Sequence, residues 1–135
     1  MAARATAMIG ALAGLVVMAI PAAAQEGSGQ PRSLPVAVLG ALDKITGRVS
    51  ELPVPVGDRT DFFRLRIDVM SCQERVAAQQ LEQAAFLIIT ETPLEGEPTR
   101  VFSGWMFASS PSVSAMDHPI YDVWLVRCED TAAAG

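Results

Sequence analysis

The stretch "DFFRLRIDVMSC" occupies residues 61–72. Phe63, Leu65, Ile67 and Val69 fall on one side of an extended chain, and Arg64, Arg66 and Asp68 on the other. Apolar and charged side chains alternating with a period of two make a β-strand with one face in a core and one in water. That is the habit of an antiparallel sheet. The strand ends at Cys72.

Upstream, "PVAVLGALDKITGRVSELPVPVG" (35–57) is rich in β-branched residues, punctuated by Gly40, Gly47, Pro53, Pro55 and Gly57. Val54 and Val56 alternate with prolines, which suits an edge strand where a missing N–H goes unnoticed. Downstream, "AFLIITET" (85–92) is an unbroken apolar run and predicts a fully buried strand. "PLEGEP" (93–98) is a turn centred on Gly96. "TRVFSGWMFAS" (99–109) returns as a strand, so the two runs predict a hairpin. "SPSVSAMDHP" (110–119) crosses as an irregular loop to the last strand, "IYDVWLVRC" (120–128). There Tyr121, Val123 and Leu125 share one face, and Asp122, Trp124 and Val126 the other. "QERVAAQQLEQAA" (73–85) breaks the pattern. Its Gln, Ala and Glu content predicts a short helix near 74–83 by propensity, but it lacks an apolar stripe, and a long surface loop fits equally. Short strands joined by turns predict a mainly β fold, a small antiparallel sandwich or partly open barrel.

The N-terminus has one early charge, Arg4, and an uncharged apolar run from Ala5 to Ile20. Pro21 and the small residues Ala22–Ala24 follow. This is the pattern of a secretory signal peptide over 1–24, cut between Ala24 and Gln25. An uncleaved anchor is the alternative, but a span needs about 20 apolar residues. Residues 25–34 read as a flexible leader, 35–129 as a single β domain and 130–135 as a loose tail. Without a further apolar run, no transmembrane segment remains after processing. The expected location is the periplasm, as a soluble protein or one peripheral on the inner membrane.

Net charge is −5, and loss of Arg4 makes it −6. No basic stripe exists, which argues against nucleic acid and against purely electrostatic docking on anionic lipid. Cys72 and Cys128 are the only cysteines. In an exported protein an even count predicts a disulfide. Two free thiols serving redox or metal work are the alternative. The two are far apart in sequence, however, and one histidine cannot complete a zinc shell. No metal or cofactor is implied.

His118 is the only histidine, and it sits among Trp105, Phe107, Tyr121 and Trp124. A hydrolase would use it as base, with Asp117 or Asp122 orienting it and Ser103, Ser109, Ser110, Ser112 or Ser114 as nucleophile. No GxSxG elbow supports this, and Asp117-His118-Pro119 reads more simply as a turn. Glu91, Glu95 and Glu97 gather at a hairpin tip, whereas paired catalytic carboxylates flank a cleft. If residues 99–109 form a strand, Phe102 points opposite to Trp105 and Phe107, so one aromatic face is core and the other is either an exposed patch for a partner or buried under loops. Trp105, Asp117, His118, Pro119, Tyr121 and Trp124 are the candidate interaction surface.

"ALDKITGRVSELPVPVG", "FFRLRIDVMSC", "AAFLIITE" and "RVFSGWMFASSPSVSAMDHPIYDVWLVRC" together resemble the bacterial domain-of-unknown-function family 2155. The resemblance runs from about Ala37 to Cys128. It is most specific in "VFSGWMFASSP" and "DHPIYDVWL". It implies an exported protein of alphaproteobacterial type with both cysteines and no assigned activity. The resemblance also implies a gene lying near one for a respiratory complex I accessory subunit, so association with an inner-membrane respiratory complex is an expectation. The expectation is a non-catalytic interaction or accessory module of the envelope with a protein partner. A small module binding an apolar ligand between its sheets is the alternative, and a hydrolase built on His118 a further one.

Overall fold

A computed structural model of the chain describes residues 10–19 and 29–131. Residues 10–19 have no regular structure and are exposed. The cleavage site at Ala24 and Gln25 lies outside the described residues, as does most of the tail. Among the described residues no helix is long and apolar enough to cross a membrane.

The strands are β1 (Arg32–Ser33), β2 (Val36–Asp43), β3 (Arg48–Pro55), β4 (Arg59–Phe62), β5 (Leu65–Ala77), β6 (Gln80–Glu91), β7 (Thr99–Phe107), β8 (Met116–Asp117) and β9 (Tyr121–Glu129). A single-turn helix, α1 (Pro111–Ser114), joins β7 to β8. One antiparallel sheet has the order β1-β5-β6-β7, with β4 also pairing β5. The other has the order β3-β2-β9-β8. The two lie face to face as an open sandwich, the architecture the alternation implies. β3 is an edge strand, and Pro53 and Pro55 stand on it.

Between the sheets lie Leu39 and Ala41 from β2, Leu65, Ile67 and Val69 from β5, Leu87 and Ile89 from β6, Met106 from β7, and Val123 and Leu125 from β9, each at most 1% exposed. Burial of each of these valine, leucine, isoleucine and methionine side chains contributes roughly 1.5–3 kcal/mol. Residues 29–34, within the expected leader, lie against β5. The Gly29 N–H donates to the Val76 carbonyl at 3.1 Å and the Leu34 N–H to that of Cys72 at 2.8 Å, and Leu34 enters the core.

Three expectations are corrected. The run 61–72 is not one strand but a hairpin: Phe62 pairs with Leu65, and Phe63 and Arg64 form the turn. Phe63 has a φ of 52° and is exposed, so it does not share the buried face of Leu65. The region 74–83 is neither helix nor loop. β5 and β6 run through it and reverse at Ala78 and Gln79, whose φ angles are 50° and 63°. Two positive φ values in a two-residue turn match the twist of the flanking strands. Cross-strand partners outweigh helix propensity here. Arg75 faces Glu82 (3.7 Å), and the Gln83 side chain donates to Glu74 (3.1 Å). "AFLIITET", finally, is buried on one face only: Ala85, Leu87 and Ile89 are fully buried, while Phe86, Ile88 and Thr90 are half-buried on the outer side.

The disulfide joins the sheets. Cys72 and Cys128 are bonded with Cα atoms 5.9 Å apart. Neither cysteine has the parity of its strand's core residues. A register shift between Val69 and Ser71 leaves Met70 as an extra residue, and Cys72 turns inward with Leu65, Ile67 and Val69. A shift opposite Val38 and Leu39 does the same at Val126 for Cys128. One bulge in each sheet thus aims both sulfur atoms at the interior. Beside them the Gln83 amide donates to the Cys128 carbonyl and accepts its N–H, both at 3.1 Å. A side chain of one sheet thereby bonds the backbone of the other.

Candidate functional site

The last hairpin is held from β2. Lys44, just past β2, places its Nζ 2.7 Å from Asp117 Oδ1, 2.9 Å from Asp122 Oδ1 and 2.8 Å from the His118 carbonyl. Its backbone N–H donates to the Ile120 carbonyl at 2.9 Å. The paired carboxylates, Asp117 first, raise the pKa of Lys44, and Lys44 in turn lowers that of Asp117. These groups sit at the surface, where ion pairs contribute little energy. Their work is positional: one ammonium fixes both arms of the β8–β9 turn.

His118 sits under this clamp. Its Nδ1 accepts the Ile120 N–H at 3.1 Å, so the ring proton lies on Nε2, which donates to Glu91 Oε2 at 2.9 Å. The imidazole stacks on Tyr121 with ring centres 5.5 Å apart. Tyr121 stacks on Phe63 at 5.8 Å and meets Phe62 edge-on at 5.7 Å. Both ring nitrogens are engaged, and among the described residues no serine hydroxyl is a partner of His118. Of the candidate nucleophiles, Ser114 accepts the Phe107 N–H at 2.9 Å and closes the end of β7. The arrangement buttresses a turn rather than activating a nucleophile.

The candidate surface residues lie in three places. Asp117, His118, Pro119 and Tyr121 share the end of the sandwich, with Tyr121 buried and Asp117 and Pro119 exposed. Trp124 lies flat across Gly40 on the outer face of the β3-β2-β9-β8 sheet, covering a strand whose glycine has no side chain there. It also lines a groove with Lys44, Pro111, Met116, Asp117 and Asp122. Trp105 stands on the outer face of the opposite sheet, because Met106 beside it points inward. It meets Phe86 edge-on at 5.5 Å and is still 41% exposed. With Phe107, Ala84, Gln73 and Arg75 it lines a shallow groove of about 220 Å³. Trp105 and Trp124 therefore face away from each other. Among the described residues no cluster of His, Cys, Asp or Glu is arranged to hold a metal.

Sequence reasoning missed Lys44, Glu91 as the partner of His118, and Gly40 as the seat of Trp124. Lys44 was given no role, and Glu91 was visible only as one of three hairpin-tip acids. Their pairing to residues 27 and 73 positions away needs the fold.

Residues 37–128 match the family model DUF2155, described as an uncharacterized protein conserved in bacteria. The chain belongs to DUF2155. The matched segment starts in β2 and ends at Cys128, so this family domain is the disulfide-closed sandwich without β1. A curated relative, the uncharacterized protein RP359 of Rickettsia prowazekii (strain Madrid E), is 32% identical over 88 residues. That alignment covers 65% of this chain and 57% of the relative, so the chain spans little more than half of that protein. No solved structure matches.

Proposed function

We propose that this DUF2155 protein is a non-catalytic interaction module, exported to the periplasm, where it serves as an accessory of an envelope or inner-membrane complex. The observation that carries this reading is the patch of Trp105, Phe86 and Phe107 on an outer sheet face. A half-exposed indole backed by aromatic rings is the usual anchor of a protein interface. The inter-sheet disulfide suits an oxidising compartment. The other readings find less support. His118 is tied into a turn, and the space between the sheets is filled by Leu39, Ile67, Leu87, Met106 and Leu125.

The test is a C-terminal tag after Gly135, gentle solubilisation of the envelope, and native separation with mass spectrometry. The expected result is a chain beginning at Gln25 with a near-stoichiometric partner. Trp105→Ala should lose that partner while keeping the wild-type melting curve. A partner retained at full yield by Trp105→Ala would overturn the assignment of the patch. A chain that keeps residues 1–24 would overturn export by cleavage.

A further inference from the structure

One end of the sandwich gathers four loops around Tyr121. The β2–β3 turn starts at Asp43, whose strand partner is Tyr121. The β4–β5 turn brings Phe63 onto the Tyr121 ring. The β6–β7 loop begins at Thr92, whose N–H donates to the Arg64 carbonyl at 2.9 Å. The β8–β9 turn supplies His118, which reaches Glu91. Three of these loops each put one large apolar side chain into water: Ile45 is 76% exposed, Phe63 69% and Leu94 82%. Phe63 does so from a left-handed backbone that favours glycine. One side of its ring stacks on Tyr121, and the rest is left in water.

The cations show the same pattern. Among the described residues Arg32, Lys44, Arg59, Arg66, Arg75 and Arg127 are each paired with a carboxylate. Arg48, Arg64 and Arg100 are not. All three belong to this end. Arg48 follows the Ile45 turn, Arg64 is beside Phe63, and Arg100, opposite Thr90, follows the Leu94 loop. Each apolar tip thus has its own uncommitted guanidinium.

We propose that this end docks on a phospholipid bilayer. Ile45, Phe63 and Leu94 enter the boundary between headgroups and acyl chains, and Arg48, Arg64 and Arg100 pair with lipid phosphates. A protein partner is met by a contiguous patch with an anchor in a pocket. Prongs on separate loops, each with a cation at its base, suit a fluid interface that closes around every prong. Glu95, Glu97 and Asp117 face the same end, so net charge does not drive the attachment. The tips carry it, and guanidinium–phosphate pairs add a preference for anionic lipid. This goes beyond the interaction-module reading and stands without it, because binding to protein-free vesicles does not depend on a partner or on export.

The test uses the chain from Gln25 to Gly135, which contains all the described strands and the disulfide. It is sedimented with vesicles of phosphatidylethanolamine and phosphatidylglycerol, and with phosphatidylcholine vesicles. The wild type should pellet with the first and more weakly with the second. Serine at Ile45, Phe63 and Leu94 together should weaken binding about fivefold per tip, roughly a hundredfold in all. Glutamine at Arg48, Arg64 and Arg100 should erase the preference for phosphatidylglycerol. Serine at Met70, Val76 and Leu81, exposed apolar positions elsewhere, should change nothing. Far-ultraviolet spectra and melting curves establish that each variant is folded. A wild type that stays in the supernatant with both vesicles overturns the proposal. So does an equal loss in the Met70, Val76 and Leu81 variant. Capture of a protein partner that depends on the tips, without vesicle binding, would assign this end to protein instead.

Discussion

Gly40→Ala tests whether Trp124 is a structural cover for β2. In an ordinary strand this change removes a residue that is costly to order and stabilises by about 0.5–1 kcal/mol. Here a Cβ on Gly40 would lie closer than 3.0 Å to Cε2, Cζ2 and Nε1 of Trp124. Gly40 is central in its sheet, paired with Glu51 on one side and Trp124 on the other, so the backbone has nowhere to retreat. The indole must swing away. A tryptophan covers 150–250 Å². Lifting about half of that off β2 costs about 2.5 kcal/mol at 25 cal/mol per Å². The net expectation is a loss of about 1.5–2 kcal/mol, opposite in sign to the propensity effect. Urea unfolding followed by circular dichroism measures it. The second arm is Gly40→Ala in a Trp124→Ala background, where the clash is gone and the change should become neutral or stabilising. Stabilisation by Gly40→Ala alone, or the same loss in both backgrounds, would refute the reasoning.

Two further expectations follow from the staple and the clamp. Replacing Cys72 and Cys128 together by alanine opens a loop of about 57 residues and should cost about 4 kcal/mol by the chain-entropy model, read as a lower urea midpoint with β spectra retained. Lys44 depresses the pKa of Asp117, so their pairing is at full strength above the unfolded carboxylate value and fades as pH falls through the lower folded one. Lys44→Met should raise the Asp117 titration midpoint seen by NMR and loosen the Asp117–Tyr121 turn, measured as faster amide exchange at His118. An unmoved midpoint would mean that the ion pair does not persist in solution.

Much of the candidate site was legible as residue types but not as an arrangement. Trp105 and Trp124 stood out by rarity, yet only the sheet they belong to decides which way each points. They fall on opposite outer faces because Met106 and Val123 take the inner positions beside them. His118 stood out as the lone histidine. Its role was set by Glu91 and by the Ile120 N–H, the first of which arrives from another strand.

The sequence by itself determined the class of fold, the edge position of the proline-bearing strand, the hairpin of residues 85–109 and the pairing of the only two cysteines. These follow from local periodicity, from proline's missing N–H and from counting. Tertiary structure alone decided where alternation is broken. The turns at Phe63-Arg64 and Ala78-Gln79 lie inside runs that show no turn residues. The bulges at Met70 and Val126 reverse the parity that would otherwise point both cysteines outward. A bulge or a tight turn costs a strand very little locally, and its benefit comes from a partner far away in sequence, such as the opposing sulfur or the Tyr121 ring under Phe63. No window of sequence contains both terms of that balance.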